Sequence, residues 1–208
     1  KSTIVVLAFG LGCAVWCARA RGQGFNNRYD PLGQGEQQAA WAIERLGFGY
    51  LTIGATPVNF DDTAYYDPIL FSQVLDANGN VLTTDSFFYP LHAIYPGTDD
   101  CMDRASDGFF YSGGGTYSQS ATQRVALWKI DLSGNITMLA EYGDEGYEQF
   151  ARQAIQAKDG GFLLVGESDV SDIIDVGVFK FSADGTFEWS HTYGKPDLFD
   201  FGFMADTT

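Results

Sequence analysis

Basic residues are scarce in this chain. Twelve Lys and Arg stand against 27 Asp and Glu, a formal charge of −15. A surface of that sign repels phosphate backbones and anionic membranes, so nucleic acid is excluded as an expected partner. The acidity reads as a solubility feature of an exported protein. Histidine is nearly missing too. His92 and His191 are the only two, far apart in sequence, which is too few for a histidine-built metal centre or proton relay. Of three cysteines, Cys13 and Cys17 lie in the N-terminal apolar stretch. Cys101 is the single cysteine of the remainder, and an internal disulfide is excluded there. There is no Ser-His-Asp set, no phosphate-cradling glycine loop ahead of a helix, and no paired Cys or His site. No constellation rises to a catalytic assignment.

Aromatic residues and glycine are plentiful: 17 Phe, 11 Tyr and 25 Gly in 208 residues, with 45% of the chain hydrophobic. With few long amphipathic runs, this composition predicts an all-β fold with a sizeable core. Lys1 followed by an apolar stretch from Ile4 to Val15 has the form of a secretory signal, too short and glycine-broken to span a bilayer. Cleavage is expected after Ala18-Arg19-Ala20 or Ala20-Arg21-Gly22. The second is preferred, making residues 1–22 the leader and Gln23 the mature N-terminus. A lipoprotein signal through Cys13 ranks behind it, because Gly10 stands where a leucine is wanted. The chain opens without Met and is expected to begin inside its gene.

Asp159-Gly160-Gly161-Phe162-Leu163-Leu164-Val165-Gly166 is a tight turn and a short apolar run closed by glycine, the pattern of a buried strand. Gly49 to Gly54 and Gly108 to Gly113 share the glycine-four-glycine frame. A second anchor follows each: Asp76-Ala-Asn-Gly79, Asp131-Leu-Ser-Gly134 and Ser182-Ala-Asp-Gly185, hairpin turns between alternating strands. Ala42-Ile43, Cys101-Met102 and Ala154-Ile155 read as matching first-strand positions, which makes Cys101 a core residue in a cramped slot. Each unit then holds four strands, the size of a propeller blade. The fold expected is a partial β-propeller of four-stranded antiparallel blades spanning residues 23–208. Three blades are complete, at about 41–90, 99–143 and 150–194, and a fourth starts near residue 200 at Phe201-Gly-Phe-Met-Ala205. Phe25 to Gly33 resembles the closing strand of a unit, as when an N-terminal strand completes a ring's last blade. Three blades do not close a ring, so the remaining blades of one longer chain are expected as partners.

The stretch DGGFLLVGES…VGVFKFSADGTFEWSHTYG resembles secreted bacterial proteins built from delta-sixty-type and related D-G-G-F propeller-like repeats. Asp159, Gly160, Gly161, Lys180, Gly185, Trp189, Tyr193 and Gly194 carry the likeness. Lys129, Asp131, Gly134, Tyr142 and Gly143 match in the second unit, where Met138 replaces the tryptophan. The first unit departs further, with Val74 in place of the lysine. The resemblance covers about 41–208. It implies an exported or cell-surface protein with a binding or adhesion role, by analogy of fold alone.

Chemistry is thinner. Asp61, Asp62 and Asp67 fall in the loop between second and third strands of the first unit, and Asp169, Asp172 and Asp175 in the matching loop of the third. Such oxygen ligands are weak candidates for Ca²⁺, the only cofactor considered. The spaced pattern of a calcium loop is missing and the second unit has no carboxylate there, so a solvated acidic rim is preferred. Ser182 to Trp189 misses the spacing of a sialidase-type Asp-box and reads as a hairpin. His92 is placed in an irregular insertion between Phe87 and Asp100, and His191 in a strand. The function expected is a secreted or cell-surface binding module for a protein or carbohydrate ligand, with specificity in the insertions Pro57–Asp67 and Phe87–Asp100. The alternative is a propeller-fold glycoside hydrolase or polysaccharide lyase, which needs carboxylates converging on a pocket.

Overall fold

The computed structural model describes residues 39–56, 69–90, 92–98, 100–118, 123–144, 146–170, 173–195 and 198–206. The leader at 1–22, the strand expected from Phe25 to Gly33 and the insertion Pro57–Asp67 lie outside the described residues.

The protein is all-β, with 13 strands in three antiparallel sheets and no helix among the described residues. The first sheet is β1 (Ala39–Arg45), β2 (Gly49–Thr56), β3 (Ile69–Asp76) and β4 (Val81–Phe87), in that spatial order. In the second, β5 (His92–Pro96) and β6 (Met102–Arg104) both pair with β7 (Phe110–Ser118), followed by β8 (Arg124–Ile130) and β9 (Ile136–Tyr142). The third is β10 (Glu148–Gln156), β11 (Phe162–Val170), β12 (Ile173–Phe181) and β13 (Phe187–Tyr193). The three sheets span residues 39–87, 92–142 and 148–193. The second begins earlier than its expected start at 99, because β5 lies inside the stretch read as irregular. His92 is therefore a strand residue, its ring stacked on Tyr89 at 4.0 Å between centroids.

Local chemistry explains the meander. Asp131 Oδ1 accepts the backbone N–H of Ser133 at 2.7 Å and of Asn135 at 3.0 Å, and Asp76 holds the first hairpin in the same way. The turns close on Gly79, Gly134 and Gly185, at φ of 80°, 90° and 87°, a region costly for any residue with a Cβ. The turns between first and second strands correct the sequence register. Gly108, at φ 87°, is the counterpart of Gly160, also at 87°, and not of Gly161. Asp107 accepts the N–H of Phe109 at 3.0 Å as Asp159 accepts that of Gly161 at 3.0 Å. Phe110 then corresponds to Phe162 and Gly114 to Gly166. Strand pairing agrees, since Tyr111 faces Lys129 and Leu163 faces Lys180. Both lysines reach back to the turn aspartate, Lys180 to Asp159 at 3.0 Å and Lys129 to Asp107 at 3.7 Å.

The sheets stack in chain order around two cores. Leu51, Ile53 and Leu70 of the first sheet meet Phe110, Trp128 and Ile130 of the second. Tyr111, Val125 and Leu127, from the opposite face of the second sheet, meet Phe162, Leu164 and Phe179 of the third. Strand alternation sends successive residues of β8 to opposite cores, and both sets are buried because this sheet is covered on both faces. Cys101 is fully buried in the first core, as expected for a cramped core slot.

Candidate functional site

The first strand of each sheet is an edge strand, and each carries an irregularity at the same register. In β1 it is a bulge between Ala40 and Ala42, opposite Gly54 and Ile53. In β10 it is a bulge at Arg152, between Ala151 facing Gly166 and Gln153 facing Val165. In the second sheet the described residues 97, 98, 100 and 101 take this place. Pro96 faces Gly114, Met102 faces Ser112, and the chain loops out between them opposite Gly113. Cys101 thus stands at the register of Ala42 and Gln153. The expected match of Cys101-Met102 with Ala154-Ile155 is displaced by one residue, the same shift that makes Gly108 the counterpart of Gly160 and not of Gly161.

The loop is firmly attached. Gly97 N–H donates to Gly113 O at 2.6 Å, Gly113 N–H donates to Cys101 O at 3.3 Å, and Thr98 N–H donates to Arg152 O at 3.1 Å. The last of these joins the second sheet to the third, using a carbonyl that the bulge releases from the ladder. A Cβ at Gly113 would fall 2.8 Å from the Gln153 backbone, so this close approach of two sheets requires glycine. Arg152 Nε donates to Glu167 at 2.8 Å, and the Arg152 guanidinium lies 4.5 Å from the Phe203 ring centre.

Charge collects beside this loop. Burial and the nearby charges of Asp100 and Asp103 hold the half-buried Glu44 carboxyl above its ordinary value. Asp100 is the one described non-glycine residue at positive φ, 61°. An acid held above its ordinary value beside two exposed carboxylates can accept hydrogen bonds from a polar ligand. A second exposed feature lies at the ends of β5 and β7, where Tyr95 and Tyr117 share a face and are each 36% exposed.

The acids singled out from sequence fare differently. Asp61, Asp62, Asp67 and Asp172 lie outside the described residues. Asp169 and Asp175 are strand residues of β11 and β12, not loop residues. They stand at neighbouring register positions, Asp169 opposite Ile174 and Asp175 opposite Ser168, which sends their side chains to opposite faces. One oxygen of each is buried without a hydrogen-bond partner. Among the described residues no group of three or more His, Cys, Asp or Glu is arranged to hold a metal ion. His191 projects from β13 between Trp189 and Tyr193. Sequence reading missed Glu44, Asp100 and Asp103. Glu44 and Asp103 had one signal, an acid two residues past the small residue of the first strand in the first and second units; Asp100 had none. No described helix is long and apolar enough to cross a membrane.

No protein-family profile matches the chain, and no curated protein matches it at a significant level.

Proposed function

We propose that this chain is part of a β-propeller-like repeat protein that acts at or outside the cell surface as a binding module. The three sheets are read as successive blades, and further blades of the same longer chain as their partners. The observation that carries the reading is the 97–101 loop. Where the neighbouring sheets carry a simple bulge, the second sheet carries an inserted loop, anchored by three backbone hydrogen bonds, with exposed Asp100 in it and exposed Asp103 just after it. A loop anchored in this way to a buried scaffold presents its acceptors in one geometry, which lowers the ordering cost of binding. Ligands rich in donors fit it: a carbohydrate, or a basic or hydroxyl-rich protein segment. Ca²⁺ remains a proposal for Asp61, Asp62, Asp67 and Asp172 alone, since Asp169 and Asp175 stand in strands on opposite faces.

Binding arrays of soluble glycans and peptides test the reading. The paired substitution Asp100→Asn and Asp103→Asn, which keeps a side chain that tolerates the positive φ at 100, is expected to weaken any captured ligand about tenfold or more, with the melting temperature unchanged. Binding indifferent to these residues would remove the loop from the proposal.

A second reading is favoured by the raised protonation of Glu44 beside two carboxylates. It is a glycoside hydrolase or polysaccharide lyase with Glu44 as proton donor. In that case Glu44→Gln abolishes the release of sugar products from the bound polysaccharide. Binding without turnover in the unmutated chain leaves the binding module standing.

A further inference from the structure

Each sheet joins the next through contacts that recur. At the end of the last strand an aromatic ring meets a ring on the following sheet's third strand. Phe87 lies 5.5 Å from Trp128 between centroids, and Tyr142 lies 6.4 Å from Phe179. Hairpin glycines settle beside the preceding sheet's last strand. A Cβ at Gly134 would fall 3.0 Å from Ser72 Oγ on the third strand and 3.6 Å from Thr83 Oγ1 on the last, and one at Gly185 would fall 2.7 Å from Leu139 O. The residue just before the bulge of the third sheet's first strand lies over the preceding second strand, where a Cβ at Gly113 would meet Ala151 Cβ at 3.2 Å.

The outer face of the third sheet repeats the receiving half of each contact. Tyr193 stands at the Phe87 and Tyr142 position and is 57% exposed. Trp189, opposite Lys180 as Thr83 is opposite Val74, is 38% exposed. Segment 198–206 already lies where a following first strand belongs. Asp200 N–H donates to Ile174 O at 2.8 Å, and Ala205 N–H donates to Gln153 Oε1 at 2.8 Å. Gly202 covers Val165, the counterpart of Gly113, with a Cβ there falling 2.9 Å from Val165 Cγ1. Phe203 and Met204 of this segment nevertheless remain 57% and 64% exposed. The rings of Trp189, His191 and Tyr193 are inclined by 37° and 64° to one another, so they form no flat platform for stacking a sugar.

We propose that this face is the docking surface for a further four-stranded unit whose first strand is segment 198–206. The inference rests on reading the sheets as a repeating stack and extends an interface already present twice. It specifies the occupant: an aromatic or large apolar residue on its third strand against Tyr193, and a hairpin glycine against the backbone near Ser190. The remaining apolar residues of its inner face would cover Trp189.

The test is a chain extended after Thr208 by a second copy of residues 158–195, since Phe201 takes the place of Phe150. Hydrogen exchange is compared with the unextended chain. The expected result is exchange slowed about tenfold or more in 187–193 and 198–206, where burial removes local opening. Tyr193→Thr is expected to lower the urea midpoint of the extended chain and leave that of the 208-residue chain unchanged. A folded extension that leaves both segments unprotected overturns the proposal. Should the extension fail to fold, sedimentation of the 208-residue chain decides. An uncovered docking face makes it self-associate, and the pair Tyr193→Thr and Phe203→Thr weakens that association about tenfold. A chain that stays monomeric with and without the substitutions overturns the proposal. These readouts involve no ligand, so failure of the binding assignment leaves them unaffected.

Discussion

The interface between the first and second sheets and that between the second and third occupy corresponding positions and are held by different chemistry. The first is hooked by polar groups. Thr83 Oγ1 donates to Ser133 O at 2.7 Å, Ser72 Oγ donates to Gly134 O, and Ile136 N–H donates to Asp85 Oδ2 at 2.8 Å. The second is marked by a stacked ring pair at its hairpin. Tyr142 stacks on Phe187 at 3.5 Å between centroids and 5° between planes, and its hydroxyl donates to Asp144. One stacking geometry thus tolerates either set, because what both interfaces share is a buried apolar layer with a hairpin seated at its end. Directional hydrogen bonds select the seat in one case, and shape does so in the other.

Substitutions can break this comparison. Trp128, fully buried between the first two sheets, donates its indole N–H to Tyr95 O at 3.2 Å. Trp128→Ala is expected to cost roughly 3–5 kcal/mol, while Tyr142→Ala, at a partly exposed site, is expected to cost about 2 kcal/mol. Urea unfolding of both variants measures the difference, and equal losses would refute the view that the rings at the two interfaces differ in weight. Removal of a polar hook has a smaller effect. Asp85→Ala leaves Ile136 N–H without its acceptor and is expected to cost about 1 kcal/mol. The counterpart Ala140 has no carboxylate, so Ala140→Asp should give no matching gain.

The smallest effect sharpens the contrast through pH. Glu44 has its folded value raised above 4.5, first by burial and then by Asp100 and Asp103. Below about pH 4 it is neutral in both folded and unfolded chains and costs nothing. As pH rises through the raised folded value, the charged form is disfavoured and stability is lost. Glu44→Gln is therefore expected to match the parent in acid and exceed it at neutral pH, by under about 1 kcal/mol at this half-exposed site. Urea midpoints in acid and at neutrality decide it; a gain in acid that vanishes at neutrality would reverse the sign and refute the assignment.

Legibility in the sequence followed the range of the physics. The hairpin turns were readable because Asp131, Gly134 and Asn135 act on one another within a few residues. Strand faces were readable in β8 and β12, where Trp128 and Phe179 alternate with Lys129 and Lys180. The register of Gly108 was not, because a glycine at positive φ and one in a strand look alike as letters. The bulge at Arg152 and the loop at 97–101 were invisible for the same reason. Each is defined by the partner strand opposite it. Asp169 and Asp175 looked like a cluster because they are close along the chain, but strand geometry parts them.

The sequence by itself determined the local grammar: an all-β chain, its hairpins, its three groups of strands and an acidic surface. These follow from side-chain period, turn chemistry and charge, which act over short separations. Tertiary structure alone decided which sheet is covered on both faces and that Thr98 reaches Arg152. It also decided that Glu44 shares its surroundings with Asp100 and Asp103. Those outcomes depend on the approach of residues some fifty positions apart, and burial, Coulomb interaction and desolvation are set by distance in space.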